Sequence, residues 1–246
     1  MTGNLVAALT GLVVGSFLNI IIIILSQDDS FRTGRPLCPH CQHPLPWSAS
    51  FFLSNPAWLG GRCRVCGQAM SSWPRQAVSL AAVVLALALW RRFPGNALLL
   101  VYVPFTAALL VLTVLDLQHL WLPDLITLPG IGFGLISALI LPRPGFRSAL
   151  LGAILGWAFF RLAGWAFGRV MKNQPEGLGR GDAKLAAFIG AVLGLETLPR
   201  VLLTAAVLGS LAGLLAVWQR EGDRFTAIPY GPFLAGGALL FLFWKA

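Results

Sequence analysis

Glu176-Gly177-Leu178-Gly179-Arg180-Gly181-Asp182-Ala183-Lys184 is a glycine-rich loop that delivers one carboxylate to the mouth of an apolar segment, 183–198. A second carboxylate holds a matching place in Val114-Leu115-Asp116-Leu117-Gln118-His119-Leu120-Trp121-Leu122-Pro123-Asp124, at the end of another apolar run. Acids are scarce, nine in 246 residues, and Asp116, Asp124 and Asp182 all lie against hydrophobic stretches. Such stretches recur along most of the chain, and a bilayer core takes roughly 20 apolar residues per helix. Ionisable groups are costly to place at membrane depth, so by default they point to a functional site.

Working outward from the loop, apolar segments fall at about 4–25, 76–90, 97–115, 125–141, 148–168, 183–198, 200–218 and 228–244. The expected fold is all-α: a polytopic membrane protein of about eight transmembrane helices with a small polar insert. Composition agrees, with 57% hydrophobic and 11% charged residues against about 25% charged in a soluble domain. The formal charge of +9 does not imply nucleic acid, because the basic residues are spread over short loops, where topology and anionic membrane lipid explain them. The ends holding the insert, the Asp116–Asp124 loop, the Gly/Asp loop and 219–226 carry eleven Lys and Arg; the opposite ends carry six. That bias puts the insert and both aspartates on the cytoplasmic side. The start lacks a basic n-region and its apolar run is too long for a signal-peptide core, so the first helix is expected to stay.

Details within the spans carry further expectations. Gly11, Gly15 and Ser16 in the first, and Gly152, Gly156 and Gly164 in the fifth, invite close helix packing. Asn19 needs a buried partner. The sixth segment would reach roughly 24 Å, short of the approximately 30 Å core, which keeps Asp182 below the bilayer surface. Pro123 ends a helix, and Asp124 is then expected to N-cap the next.

All four cysteines lie in the insert, as Cys38-Pro39-His40-Cys41 and Cys63-Arg64-Val65-Cys66, with 21 residues between the pairs. This is close to a zinc pattern of two C-x-x-C knuckles. Four thiolates suit a closed structural Zn²⁺. An insert of roughly 50 residues has little core of its own and gains from a metal staple. Paired disulfides are the alternative, requiring an oxidising compartment; His40 and His43 are the less favoured substitute ligands.

Hydrolysis of a peptide bond without a metal or a nucleophilic side chain needs an activated water and an acid for the leaving amine. Two aspartates sharing a proton supply both, because like charges held close do not both ionise readily. They titrate as a unit, so neither is permanently acid or base. Gly177, Gly179 and Gly181 let the backbone approach a substrate strand, and Lys184 adds positive potential nearby. Simpler readings stand beside this one. Asp182 can serve only as a helix cap, and Asp116 only as an interfacial acid. Paired acids also occur in proton-coupled secondary transporters, although no inverted repeat relates the halves. A zinc-knuckle scaffold would leave the glycine-flanked Asp182 unexplained.

Leu115-Asp116 with Leu122-Pro123-Asp124, followed by Gly179-Arg180-Gly181-Asp182-Ala183-Lys184-Leu185, resembles the type IV prepilin peptidase family, the GxGD intramembrane aspartyl proteases. Gly15-Ser16-Phe17-Leu18-Asn19, the double C-x-x-C insert and Ile228-Pro229-Tyr230-Gly231-Pro232 are similar to that family in the same order. The resemblance implies cleavage of prepilin or pseudopilin leaders at the cytoplasmic face of the bacterial inner membrane, after a glycine and before a hydrophobic stretch. It makes Asp116 and Asp182 the catalytic pair, with Gly179, Gly181, Lys184 and Asp124 as surrounding motif positions. Many members also methylate the new N-terminus with S-adenosylmethionine, an activity tied to the cysteine-bearing region. The division implied is 1–26 for the first helix, 27–75 for the cysteine insert and 76–246 for the peptidase; a homodimer is left open. The chain departs from the pattern at 20–25, where an arginine is usual before Leu-Pro, and at Ala77, where a glutamate is usual. Either departure would weaken methyl transfer and leave proteolysis intact.

Overall fold

The computed structural model describes residues 2–26, 37–38, 41–44, 63, 65–68, 73–170, 179–219 and 229–245. Among these, eight helices form and the extended structure is a single bridge, Leu37 with Pro44. The helices are α1 (Thr2–Leu25), α2 (Trp73–Arg92), α3 (Leu99–His119), α4 (Asp124–Ile140), α5 (Phe146–Val170), α6 (Arg180–Leu193), α7 (Leu198–Gln219) and α8 (Gly231–Lys245). They stand where the sequence marks eight apolar segments. By length and composition α1, α3, α5 and α7 are able to cross a membrane, while α4 and α8 are apolar but shorter. Leu100 and Ile140 are 76% and 77% exposed, an outward apolar surface of the kind lipid covers and water does not.

The chain divides into two compact units, Met1–Val111 and Leu112–Ala246. In the first, α1 lies along α2. The glycines of α1 explain the closeness: a Cβ on Gly11 would stand 2.7 Å from Val83 Cα, and one on Gly15 2.8 Å from Ser79 Cα. Backbones that approach this far gain van der Waals contact that larger residues would block. Asn19 finds its buried partner here, its Nδ2 donating to Ser79 Oγ at 3.0 Å.

The second unit is built around α6, which packs against α4, α5, α7 and α8. Nine of its fourteen residues are buried, most of them Ala or Gly. A Cβ on Gly152 would meet Gly190 O at 2.5 Å, and one on Gly156 would meet Ala186 O at 2.6 Å, so α5 and α6 touch backbone to backbone. The helix expected over 183–198 both starts and stops earlier in the chain. Helix α6 begins earlier, at Arg180, and stops at Gly194, whose φ of 80° is a conformation that suits glycine. The Leu195 N–H then bonds Ser148 Oγ at 3.0 Å, and α7 starts at Leu198. Fourteen residues rise about 21 Å, which makes α6 a buried half-length helix.

Two further boundaries differ from expectation. Helix α3 runs past Asp116 to His119, because nothing in Leu117-Gln118-His119 breaks it; it closes at Leu120, which takes φ 52° while its N–H bonds Asp116 O at 2.9 Å. Asp124 is the first residue of α4 and not its N-cap. That place falls to Pro123, extended at φ −68° and ψ 132°, whose carbonyl accepts the N–H groups of Ile126 and Thr127.

Candidate active site and metal centre

Asp116 sits in the last turn of α3 and is 5% exposed, above the fully buried Leu112 and Leu115. Its Oδ2 accepts the backbone N–H of Gly231 at 2.8 Å. Asp182 is the third residue of α6, and its Oδ2 accepts the N–H of Gly179 at 3.2 Å. The helix-capping role weighed for Asp182 is therefore real, and it uses one carboxylate oxygen. Each aspartate has one oxygen tied to a glycine amide.

Both carboxyl groups line one recess of about 460 Å³, together with Leu120, Trp121, Leu122, Gly179, Arg180 and Gly181. They are close enough to interact electrostatically, and Tyr230 is within the field of Asp182 as well. Asp124 and Lys184 line the same recess and bond each other, Nζ to Oδ1. Lys184 thus neutralises a neighbouring acid across α4 and α6. Gly181 has no room for a side chain, since a Cβ there would meet Leu122 Cβ at 2.9 Å. Glu176, Gly177, Leu178 and Ile228 lie outside the described residues. His119 is exposed on the last turn of α3.

Asp116, Asp182, Gly179, Gly181, Asp124 and Lys184, the site residues expected from the sequence, all line this one recess. Sequence reading passes over Leu122 and Gly231. A signal for Gly231 was present in Pro229-Tyr230-Gly231-Pro232, where prolines withhold donors on either side of two amides, but nothing in it named a partner.

The four cysteines form a second cluster. Their sulfurs all lie within 4.8 Å of one another, with Cys38 Sγ 3.8 Å from Cys66 Sγ and Cys41 Sγ 3.7 Å from Cys63 Sγ. They are free thiols. A tetrahedral ion with metal–sulfur bonds of about 2.3 Å spaces its sulfurs by about 3.8 Å, so the donor set fits a Zn²⁺-sized ion. The two knuckles repeat one backbone pattern. Cys38 N–H bonds His43 O and Gln42 N–H bonds Cys38 O; Cys63 N–H bonds Gln68 O and Gly67 N–H bonds Cys63 O. Gln42 and Gly67 each follow the second cysteine of a pair and take φ 54° and 69°. The N–H groups of Cys66 and Val65 donate to the Cys63 sulfur and pull that thiol down to about 6, whereas burial and the neighbouring thiols push Cys41 up to about 12, so the fit to a metal rests on the spacing of the sulfurs. His43 contributes its carbonyl to a knuckle and is not among the clustered ligands; His40 lies outside the described residues.

Comparison with known proteins gives a consistent picture. Residues 103–214 match the Type IV leader peptidase family, and residues 9–93 match the Bacterial Peptidase A24 N-terminal domain. A protein of Burkholderia pseudomallei (strain 1026b) named prepilin leader peptidase/N-methyltransferase is 36% identical over 97% of this chain and 84% of its own length. Proteins of the same name from Aeromonas hydrophila and Pectobacterium carotovorum subsp. carotovorum are 33% and 35% identical, over 96% and 93% of this chain and 89% and 88% of theirs. No solved structure matches.

Proposed function

This chain belongs to the type IV leader peptidase family, and on that premise we propose that Asp116 and Asp182 are the pair with which it cuts prepilin or pseudopilin leader peptides. It is a membrane enzyme, an aspartyl endopeptidase of the bacterial inner membrane. The observation that carries the assignment of residues is the shared recess: two carboxyl groups from α3 and α6, each with one oxygen held by a glycine amide, facing one space.

The chemistry follows from placing those groups side by side. One carboxylate draws a proton from a water molecule as that water attacks the scissile carbonyl. The neighbouring carboxyl, protonated because two adjacent charges repel, hydrogen-bonds the developing oxyanion. The proton held in the pair then passes to the leaving amine, and the resting state returns. Leu120, Trp121 and Leu122 give the recess an apolar wall suited to the hydrophobic stretch that follows the cut. The distribution of Lys and Arg supports a recess that faces the cytoplasm, where a basic leader would remain while its apolar helix stays in the bilayer.

Cys38, Cys41, Cys63 and Cys66 would hold a structural Zn²⁺ that staples the insert and takes no part in proteolysis. The division proposed from the sequence takes 76–246 as the peptidase and 27–75 as the region tied to methylation. N-methylation of the new terminus with S-adenosylmethionine is the second activity, supported by the name of the relatives; the departures at 20–25 and Ala77 bear on this activity alone.

The test is incubation of the purified protein with a prepilin, with and without S-adenosylmethionine, read by mass spectrometry. Loss of the leader is expected in both cases, and one added methyl group only with the donor. Asp116→Asn and Asp182→Asn should each abolish leader loss while the protein still folds. Near-normal processing by either variant would overturn the assignment.

A further inference from the structure

We propose that Gly231 is a positioning residue for the aspartate pair: its N–H and its lack of a side chain together fix the Asp116 carboxyl for joint work with Asp182. The inference rests on the proposed function and adds a residue that the sequence reading did not assign. It starts from a buried acid. Asp116 is 5% exposed, and a carboxyl removed from water that far must be hydrogen-bonded. Its bond comes from Gly231, 115 residues further along the chain.

The local sequence makes that amide available. Gly231 opens α8, and the first N–H groups of a helix have no partner within it. Pro232, which follows, has no N–H, and neither has Pro229. The N–H groups of Phe233 and Leu234 are already taken up by Tyr230 O. Gly231 therefore presents an amide, at the positive end of a helix, in a stretch where Pro229, Pro232, Phe233 and Leu234 have none to offer.

The missing side chain matters as much as the donor. A Cβ at 231 would stand 2.8 Å from Asp116 Oδ2, 3.2 Å from its Cγ and 3.3 Å from its Cβ. The carboxyl lies across the glycine so closely that any other residue would displace it. Gly231 is not among the glycines of positive φ, so the demand for glycine comes from the acid and not from the backbone. The device recurs at the partner: Gly179 N–H holds Asp182 Oδ2 at 3.2 Å, and a Cβ on Gly179 would meet that oxygen at 3.1 Å. Two glycine amides thus each occupy one carboxylate oxygen and leave the other for water and substrate.

Gly231→Ala tests this in the full-length protein, with Gly236→Ala as the control. Gly236 lies on the same helix, and a Cβ there meets nothing within 4 Å. A reacting group displaced by about 1 Å costs on the order of 100-fold in turnover. Gly231→Ala should therefore lower kcat about 100-fold with KM unchanged, the signature of a group that matters in the transition state and not in binding. Gly236→Ala should leave both constants where they were, with the thermal midpoint in detergent unchanged or slightly raised by the better helix former. Should Gly231→Ala fail to fold, an amide-to-ester replacement at 231 removes the N–H without adding an atom, and the same loss of kcat is expected. Wild-type kcat per folded molecule in either variant overturns the positioning role, as does a fall in kcat matched by Gly236→Ala. Asp116→Asn separates the two levels: if it retains activity the proposed function fails, whereas an inactive Asp116→Asn beside a fully active Gly231→Ala sinks only this inference.

Discussion

Gly181→Ala is a one-carbon change that should move the Asp182 carboxylate. The new Cβ would stand 2.9 Å from Leu122 Cβ and 3.1 Å from its Cδ1. Rotation about the Leu122 side chain relieves only the second contact, because its Cβ is fixed to a backbone held by Pro123. Restoring an ordinary separation of 3.4 Å at Leu122 Cβ requires a shift of about 0.5 Å between the start of α6 and the chain before Pro123. Asp182 is the next residue and shares that shift. If 1 Å of misplacement costs on the order of 100-fold, half of it costs about tenfold, or about 1.4 kcal/mol of transition-state stabilisation. Stability should hardly change, since the helix gains up to about 1 kcal/mol from replacing Gly by Ala while crowding costs about 1 kcal/mol or slightly more. The assay is prepilin turnover by the purified variant, alongside its thermal midpoint in the same detergent. Leu122→Gly in the Gly181→Ala background removes the Cβ that forces the shift and should recover part of the lost turnover, so the two substitutions should not add. Wild-type turnover in Gly181→Ala, or full additivity with Leu122→Gly, would refute the steric link between Leu122 and Asp182.

Two further outcomes concern the surroundings of the site. Cys41→Ser should abolish metal content, measured by elemental analysis against about one Zn²⁺ per chain for the parent, and should lower stability because closed four-thiolate sites contribute folding energy; a metal-free parent of full stability would contradict the zinc reading. Lys184→Met breaks a pair whose side chains are 28% and 57% exposed, so stability should fall by less than about 1 kcal/mol. Turnover should stay within about fivefold of the parent, and a larger loss would mean that the Lys184 charge acts on substrate directly.

The site joins economy of parts to local precision. Helix α6 is too short to span and is buried on most sides, so its first turn can hold Asp182 beside Asp116 instead of at a lipid surface. Its Ala and Gly residues allow α5 to lie against it backbone to backbone. A helix held that closely has little freedom to shift, and its N-terminal turn inherits the constraint.

Much of this was determined by the sequence. Eight apolar segments, two acids at the ends of such segments, and two C-x-x-C pairs are local patterns, and local patterns are legible because hydrophobicity, turn chemistry and ligand spacing act over a few residues. The tertiary structure alone decided which groups meet. Asp116 with Gly231, Asp124 with Lys184, and Asn19 with Ser79 join residues 115, 60 and 60 positions apart. It also decided that the helix expected over 183–198 ends at Gly194, among the residues packed around it. No periodicity encodes such pairings: each depends on where whole helices come to rest, and that is settled by the summed close packing of many small side chains rather than by any single stretch.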